Sequence, residues 1–514
     1  MKRAETWRDA YHGVLVLMAA ILATAGIGWG QLTTTGTISG IVTDRTGALV
    51  PDAKVTLQNQ DTKIPTTTQT SADGTFVVPG LVVGNYTVTV EKSSFETYSV
   101  SGVAVHPAVV SNVSAVIKLG AVATRVEVIA SAAQVQTATP EVSSQVSSEQ
   151  VATLPLNGRN YQSLSTLMPG VTNTAPATAL NQGGFLTGNV MSINGMGLSG
   201  TMYYLDGIWN MNTGNMTQTT ITPNPDTVQE VRVLQNNYGV QYSLMGSNVV
   251  LLETKSGTSS FHGTAYEYLR NDALDARNFF SPSVPALKQN IFGYTFGGPF
   301  YIPDHYNNTS KQKTFFFWSQ QWAKQHAASV VRGADPTADM RSGNFASLCT
   351  SGFAANGICN DRDPITHAVI DQIYNPATGQ PFTDNMIDQS LLNANSLALL
   401  NALAPPPNNP SGGFLNFINL TPTINSTRDD EIRVDHNFGP KLRLMAEYLD
   451  ERQTNGNSYD NFLGSPYATN KDPITTQNQL AQVQLTATLT PTMVNTTSVA
   501  MYNYVVSLGA AGIW

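Results

Sequence analysis

The sequence predicts a mainly β chain: a small β-sandwich, a compact α+β unit, then an incomplete antiparallel sheet of the outer-membrane barrel type. Three observations predict it. Charged residues make up only 12% of the 514, against the ~25% usual in soluble domains. Thr, Ser, Asn, Gln and Gly take their place, which suits strands and wet polar interiors better than amphipathic helices. Second, short runs alternating apolar with polar residues recur from Gly36 onward, the period of a strand with two unlike faces. Third, the N-terminus is built like an export signal. Lys2, Arg3 and Arg8 precede an apolar stretch at 14–27, with Ala23-Thr24-Ala25 and Gly30-Gln31 as candidate cleavage sites.

Residues 1–30 therefore read as a cleaved signal peptide, the apolar run being short for a span of ~20 residues. No later stretch is long and apolar enough for a membrane helix. Any further contact with lipid must come through a closed sheet. The 27 Lys and Arg against 35 Asp and Glu give a formal net charge of -8, which leaves no basic surplus for a phosphate backbone and argues against nucleic acid as a partner.

Residues 36–119 carry strand-like runs at Thr37-Ile38-Ser39-Gly40-Ile41-Val42, Ala53-Lys54-Val55-Thr56-Leu57, Gly74-Thr75-Phe76-Val77-Val78 and Asn85-Tyr86-Thr87-Val88-Thr89-Val90, parted by turns. This spacing predicts a small β-sandwich. Residues 121–255 mix an opening strand, a polar linker, Gly turns and a helical turn into a strand at Pro225-Asp226-Thr227-Val228, the texture of a compact α+β unit.

In residues 261–514 apolar or aromatic residues alternate with polar ones: Phe292, Tyr294 and Phe296; Ile432, Val434, His436 and Phe438; Ala481, Val483, Leu485 and Leu489. A barrel wall with lipid on one side and water or a plug on the other has this signature, and so does a soluble sandwich. Three features favour the barrel: tight turns at 437–441 and 490–492, a long polar insertion at 335–425, and an aromatic cluster at Phe315-Phe316-Phe317-Trp318 with Trp322, read as an interface girdle. About six to eight strands are legible, whereas a plugged transporter has about 22. The chain is thus expected to be the N-terminal part of a larger protein.

Several strings resemble known families. Gly40-Ile41-Val42-Thr43-Asp44, Val50-Pro51-Asp52-Ala53, Ser71-Ala72-Asp73-Gly74-Thr75-Phe76, Pro79-Gly80-Leu81 and Gly84-Asn85-Tyr86-Thr87-Val88 resemble the carboxypeptidase regulatory-like domain. That resemblance implies a non-catalytic, transthyretin-like sandwich. Leu154-Pro155-Leu156-Asn157-Gly158-Arg159, Pro169-Gly170-Val171 and Tyr204-Leu205-Asp206-Gly207 resemble the plug of TonB-dependent receptors, in the Oar-like branch. Gly263-Thr264-Ala265-Tyr266-Glu267-Tyr268, Phe296-Gly297-Gly298-Pro299 and Arg433-Val434-Asp435-His436-Asn437-Phe438 resemble the barrel of the same branch. Gly246-Ser247-Asn248 and Glu253 depart from the paired glycines and Asn-Val-Thr-Lys ending usual there.

The resemblance implies an outer-membrane receptor-transporter in a Gram-negative-type envelope. Its partners would be outer-membrane lipid, a TonB-like energising protein, and a small-molecule, glycan or peptide ligand captured by exterior loops at 335–425. Within Arg125-Val126-Glu127-Val128-Ile129-Ala130, residues Val126, Glu127, Val128, Ile129 and Ala130 resemble the short strand that such an energiser grips by main-chain pairing; the alternatives are a last sandwich strand or a first plug strand. A surface adhesin using a carbohydrate-binding-like sandwich is the second reading, and an exported hydrolase a weak third.

Catalysis is not expected. The seven histidines show no metal-ligand spacing, and no Gly-x-Ser-x-Gly elbow or phosphate-binding Gly-Lys-Ser/Thr loop occurs. No cofactor is implied. Cys349 and Cys359 read as a loop disulfide in an exported chain, with two unrelated thiols the alternative. Asp429-Asp430-Glu431 reads as a solvated strand end rather than a cation site, and Asn360, Asp361 and Asp363 as a plain polar loop rather than a calcium loop.

Overall fold

In the computed structural model, residues 34–508 are described apart from 121–124, 130–140, 155, 174–190, 197–199, 213–218, 240–241, 243–247, 278–283, 285, 309, 405, 410–414, 457–473 and 491–492. The signal-peptide reading of residues 1–30 lies outside them.

The sandwich has eight strands: β1 (Gly36–Asp44), β2 (Lys54–Asn59), β3 (Pro65–Gln69), β4 (Thr75–Leu81), β5 (Gly84–Glu91), β6 (Thr97–Val105), β7 (Val110–Ile117) and β8 (Arg125–Ile129). One sheet runs β4-β1-β7 and the other β3-β2-β5-β6-β8. Alternation does the folding: Ile38, Val42, Val55, Leu57, Val88, Val90 and Ile117 turn inward and are buried together, while the residues between them face out. Gly40 is required where β1 meets β7, since a Cβ there would sit 2.3 Å from the Val113 carbonyl oxygen and 2.5 Å from the Phe76 ring. The sandwich extends beyond residue 119, because β8 joins it in parallel with β6.

The middle unit holds β9 (Val142–Ser147), β10 (Val171–Asn173), β11 (Met191–Ile193), β12 (Thr201–Leu205), β13 (Ile208–Trp209), β14 (Val228–Asn236) and β15 (Asn248–Thr254). Its mixed sheet runs β13-β12-β15-β14-β9, with β12 and β15 parallel. A short helix, α1 (Ser148–Thr153), follows β9; Ser147 and Gln150 close its first turn as a capping box. β12 and β15 are buried on both faces, as parallel strands inside a layered unit are.

The third unit is a seven-stranded antiparallel sheet in chain order: β16 (His262–Asn271), β17 (Leu287–Pro299), β18 (Thr314–Gly333), β19 (Phe417–Gly439), β20 (Leu442–Asn455), β21 (Ile474–Thr490) and β22 (Met493–Leu508). It does not close on itself. Its outward face carries Phe296, Trp318, Ile432, Val434, Val483 and Val499 in the open. Its inward face carries Gln321, Arg433, Glu447, Gln482 and Gln484, all buried against the middle unit. That polarity is the reverse of a soluble sandwich, whose apolar face points in, and fits a wall between lipid and lumen. Leu449 and Leu480 of this wall join the hydrophobic core of the middle unit.

Connections differ between the two ends of the wall. β19–β20 and β21–β22 are joined by a few residues, whereas 334–416 form a folded insertion between β18 and β19. The sandwich sits at the short-turn end: the Lys63 carbonyl accepts from Gln312 at 2.9 Å, and the Asp61 carbonyl from the Ser259 amide at 3.1 Å.

Two expectations need correction. Phe315 and Phe317 belong to the inward face and are each 1% exposed, so the aromatic run is split between the two faces of the wall. Asp429 and Glu431 are no solvated strand end: they are 7% and 4% exposed on the inward face of β19. Only Asp430 between them points outward, where it meets Gln320 and Arg428. Strand alternation, not the acidic run, decides their burial.

Candidate functional site: the contact between plug and wall

The middle unit grips the wall through a buried ionic cluster. Its plug-side anchor comes from the Asp206-Gly207 turn joining β12 to β13. Both residues have positive φ, 46° and 80°, the conformation a two-residue hairpin loop needs and Asp-Gly supplies. The turn presents the Asp206 carboxylate to Arg433 on β19. The Arg433 guanidinium donates to Asp206 at 3.0 Å, to Asp435 at 2.9 Å, and to the Thr254 carbonyl and hydroxyl at 3.1 and 2.8 Å. The Thr254 hydroxyl also lies 2.7 Å from Glu447, which faces Arg433 across the β19–β20 pair. Ser256 donates to Asp435 at 2.7 Å and Gln482 to Glu447 at 2.6 Å. Arg433, Asp206, Asp435 and Glu447 are all nearly inaccessible to solvent, so their contacts act in a medium where charge is felt strongly.

A second arginine works from the plug side. In Leu156-Asn157-Gly158-Arg159 the chain takes positive φ at Gly158 and Arg159, which turns Arg159 toward the wall. It pairs with Asp226 and lies over the Tyr266 and Tyr268 rings of β16, 4.8 and 4.4 Å from their centroids, a cation–π contact. Nearby, Asn224 donates to Ser319 at 2.9 Å and the Thr222 amide to Glu451 at 3.3 Å.

The sandwich is tied to the plug as well. His106 lies 2.8 Å from Glu230, and Arg232 bonds both the Pro107 carbonyl and Glu141. A cavity of about 150 Å³ opens where sandwich, plug and wall meet, with Tyr86, Glu253, Ser256 and Arg443 on its lining. Burial and the adjoining Asp206 carboxylate push Glu253 well above the ordinary carboxyl range. Burial raises the Tyr86 phenol to about 12.

The residues singled out in the sequence fall in three places. The strings ending in Arg159 and Asp206-Gly207 converge on the plug–wall contact. Val126, Glu127, Val128 and Ile129 lie in β8, the outer strand of the sandwich sheet, in register with Tyr98, Ser99, Val100 and Ser101; Ala130 lies outside the described residues. Cys349 and Cys359 are joined by a disulfide in the long insertion. Asp361 approaches them closely enough to suggest a metal site, but sulfurs bonded to each other are not thiolate ligands. The Asp361 carboxylate instead accepts from the Thr350 and Ser351 amides at 2.6 and 3.1 Å, and Asp363 from those of Ile365 and Thr366. Both tie loop backbone. Arg433 itself was legible only as one polar residue of an alternating strand.

Comparison with known proteins agrees with this architecture. Residues 37–120 match the carboxypeptidase regulatory-like domain, 135–250 the TonB-dependent receptor plug domain, and 253–511 an outer membrane beta barrel domain. The chain is 23% identical over 301 residues to the TonB-dependent transporter Oar of Myxococcus xanthus, covering 54% of this chain and 27% of that protein. It therefore spans about a quarter of that relative's length. Similar solved structures include a ferric enterobactin receptor mutant from Pseudomonas aeruginosa, with TM-score 0.40, 12% identity, and coverage of 72% of this chain and 42% of that one. Another is an outer membrane transporter from Escherichia coli, with TM-score 0.38, 9% identity, and coverage of 68% and 37%. A chain whose plug strings and wall strings each match their own domain, and whose inward wall face is cut to the plug, belongs to the TonB-dependent receptors of the outer membrane, in the branch with an N-terminal regulatory-like sandwich.

Proposed function

We propose that the protein to which this chain belongs is a TonB-dependent transporter, admitting a ligand through a barrel closed by the plug described above. The observation that carries the reading is the cluster around Arg433. It holds plug to wall by hydrogen bonds and ion pairs rather than by a continuous apolar seam. Such a contact can be exchanged for water stepwise, as a plug that must shift requires.

The candidate grip for an energising protein is β8 with Ala130. β8 ends its sheet in the order β3-β2-β5-β6-β8, and a partner strand adds to such an edge by main-chain bonds that tolerate varied side chains. The insertion at 334–416, at the opposite end from the sandwich, is the candidate capture surface. A small molecule, a glycan and a peptide all remain in scope as ligand.

Deleting Val126, Glu127, Val128, Ile129 and Ala130 from the full-length protein should abolish energised uptake while leaving ligand binding to whole cells intact. Uptake at the undeleted rate would sink the assignment of this segment as the energiser's grip, and no energised uptake by the undeleted protein would sink the transport reading. No observation favours the adhesin reading, since the sandwich is packed on the short-turn end of the wall, away from the long insertion.

A further inference from the structure

The sandwich lies across the short-turn end of the wall and touches both wall and plug at separated points. Near β16, the Asp61 carbonyl accepts from the Ser259 amide and hydroxyl at 3.1 and 2.8 Å. The Lys63 carbonyl accepts from Gln312, in the turn between β17 and β18. At the other side, Thr34 donates to Gln484 of β21 at 3.1 Å. Gly80 lies so near Val494 of β22 that a Cβ there would be 3.1 Å from its side chain. Between these points, His106 and the Pro107 carbonyl meet Glu230 and Arg232 of β14. Beneath this footprint lies the cavity of about 150 Å³. Leu81 and Tyr86 line it from the sandwich, Thr486 from the wall, and Asp206 and Arg433 of the plug–wall cluster adjoin it.

This contact differs in kind from the one between plug and wall. Leu449 and Leu480 of the wall are built into the plug's hydrophobic core. Among the described residues, the sandwich core draws on 38–117 alone and takes nothing from plug or wall. The bonds that join the sandwich to them are polar and scattered, and those of Asp61 and Lys63 are exposed. Domains that meet without a large apolar interface are free to move relative to one another, and such bonds exchange for water one at a time. β8, meanwhile, is part of the sandwich sheet, paired with β6 over 125–129 and ending that sheet. A partner strand added to β8 is therefore joined to the sandwich before it is joined to the plug. A pull delivered there loads the contacts of the sandwich first.

We propose that the sandwich is a gate over the short-turn side of the plug, lifted as one body when the energising protein pulls on β8. Closed, it roofs the cavity beside Arg433 and Asp206. Pulled, it leaves wall and plug before the Arg433 cluster parts, so the plug then moves into open solvent instead of against a folded domain. The order is gate first, plug second. What passes the gate rests on the transport reading above; that the sandwich shields the cavity does not.

The test places a thiol under the roof. Thr486 is 5% exposed, and Thr486→Cys in the full-length protein is probed with a small fluorescent maleimide; Cys349 and Cys359 are bonded to each other and do not compete. In cells, the thiol should react roughly fivefold faster while the energiser works than after a protonophore stops it. Removing residues 126–130 should cancel that difference. In detergent, where nothing pulls, His106→Ala with Gln312→Ala should raise the rate roughly fivefold and leave amide exchange of β12 and β15 unchanged. A detergent rate unmoved by these changes, or one that rises only together with exchange of β12 and β15, would overturn the gate whether or not the protein transports. Equal rates in energised and protonophore-treated cells would overturn the lifting by β8. Faster labelling on energisation with no uptake would sink the transport reading and leave the gate standing.

Discussion

Replacing Arg433 by Gln should loosen the plug, and the size of the effect can be worked from its contacts. The guanidinium serves two buried carboxylates, Asp206 on the plug and Asp435 on its own strand, and two oxygens of Thr254. Removing one member of a buried ion pair costs about 3–5 kcal/mol, because the partner keeps its charge and loses its counter-ion. Asp206→Asn removes one of the stranded charges. The double variant should therefore be more stable than Arg433→Gln alone, with a coupling of about 2–3 kcal/mol. A coupling of that size is a factor of roughly 30–150 in the plug-docking equilibrium. The assay is a double-mutant cycle in detergent or membranes, read by amide hydrogen exchange of β12 and β15, which open when the plug lets go. Coupling below about 0.5 kcal/mol, or exchange in Arg433→Gln equal to the parent, would refute the view that this cluster holds the plug.

Three further outcomes are expected. The folded-state pKa of Glu253 is raised, so its contribution to stability is complete below the unfolded carboxyl value of about 4.3 and fades as pH climbs toward the folded value; Glu253→Gln should flatten the fall in plug stability with rising pH, as measured by thermal unfolding from pH 5 to 8. Cys349 and Cys359 are ten residues apart, and a closure of that length is worth about 3 kcal/mol to the segment it bridges; Cys349→Ser with Cys359→Ser should speed proteolysis within 334–416 and leave the wall's exchange protection unaltered. Ser99 and Glu127 are register partners in the β6–β8 pair; cysteines at both positions should cross-link on oxidation and leave uptake unaltered, since the energiser adds to the free edge of β8 where it lies. Uptake lost on oxidation and restored by reductant would mean that β8 must leave its sheet before it is gripped.

Much of the fold was legible because strand alternation is a local signal. The inward residues of β2 and β5 and the turns at 437–441 follow directly from period and turn chemistry. What failed had non-local causes. Asp429 and Glu431 looked like a wet strand end because three acids in a row suggest solvent. Extending the alternation of Arg433 and Asp435 back by two and four residues puts Asp429 and Glu431 on the same inward face. The run Phe315-Phe316-Phe317 has the right composition for a girdle, yet a strand must send Phe315 and Phe317 to the side opposite Phe316. The parallel pairing of β8 with β6 had no local signature either, since it joins segments more than twenty residues apart with β7 between them. The Arg433 cluster draws its partners from four strands and two turns, and only tertiary structure brings them together.

β18 and β19 run for 20 and 23 residues. A strand crosses a bilayer in about 9–11 residues. At about 3.4 Å per residue and a tilt near 45°, the shorter of the two rises about 48 Å, against an apolar band of about 25 Å. Roughly 20 Å of paired strand is then left over. On the side of the disulfide-bridged insertion, residues 328–333 of β18 pair with β19 beyond the last residue that pairs with β17, so the insertion begins at the end of a two-stranded ribbon that outlasts β17.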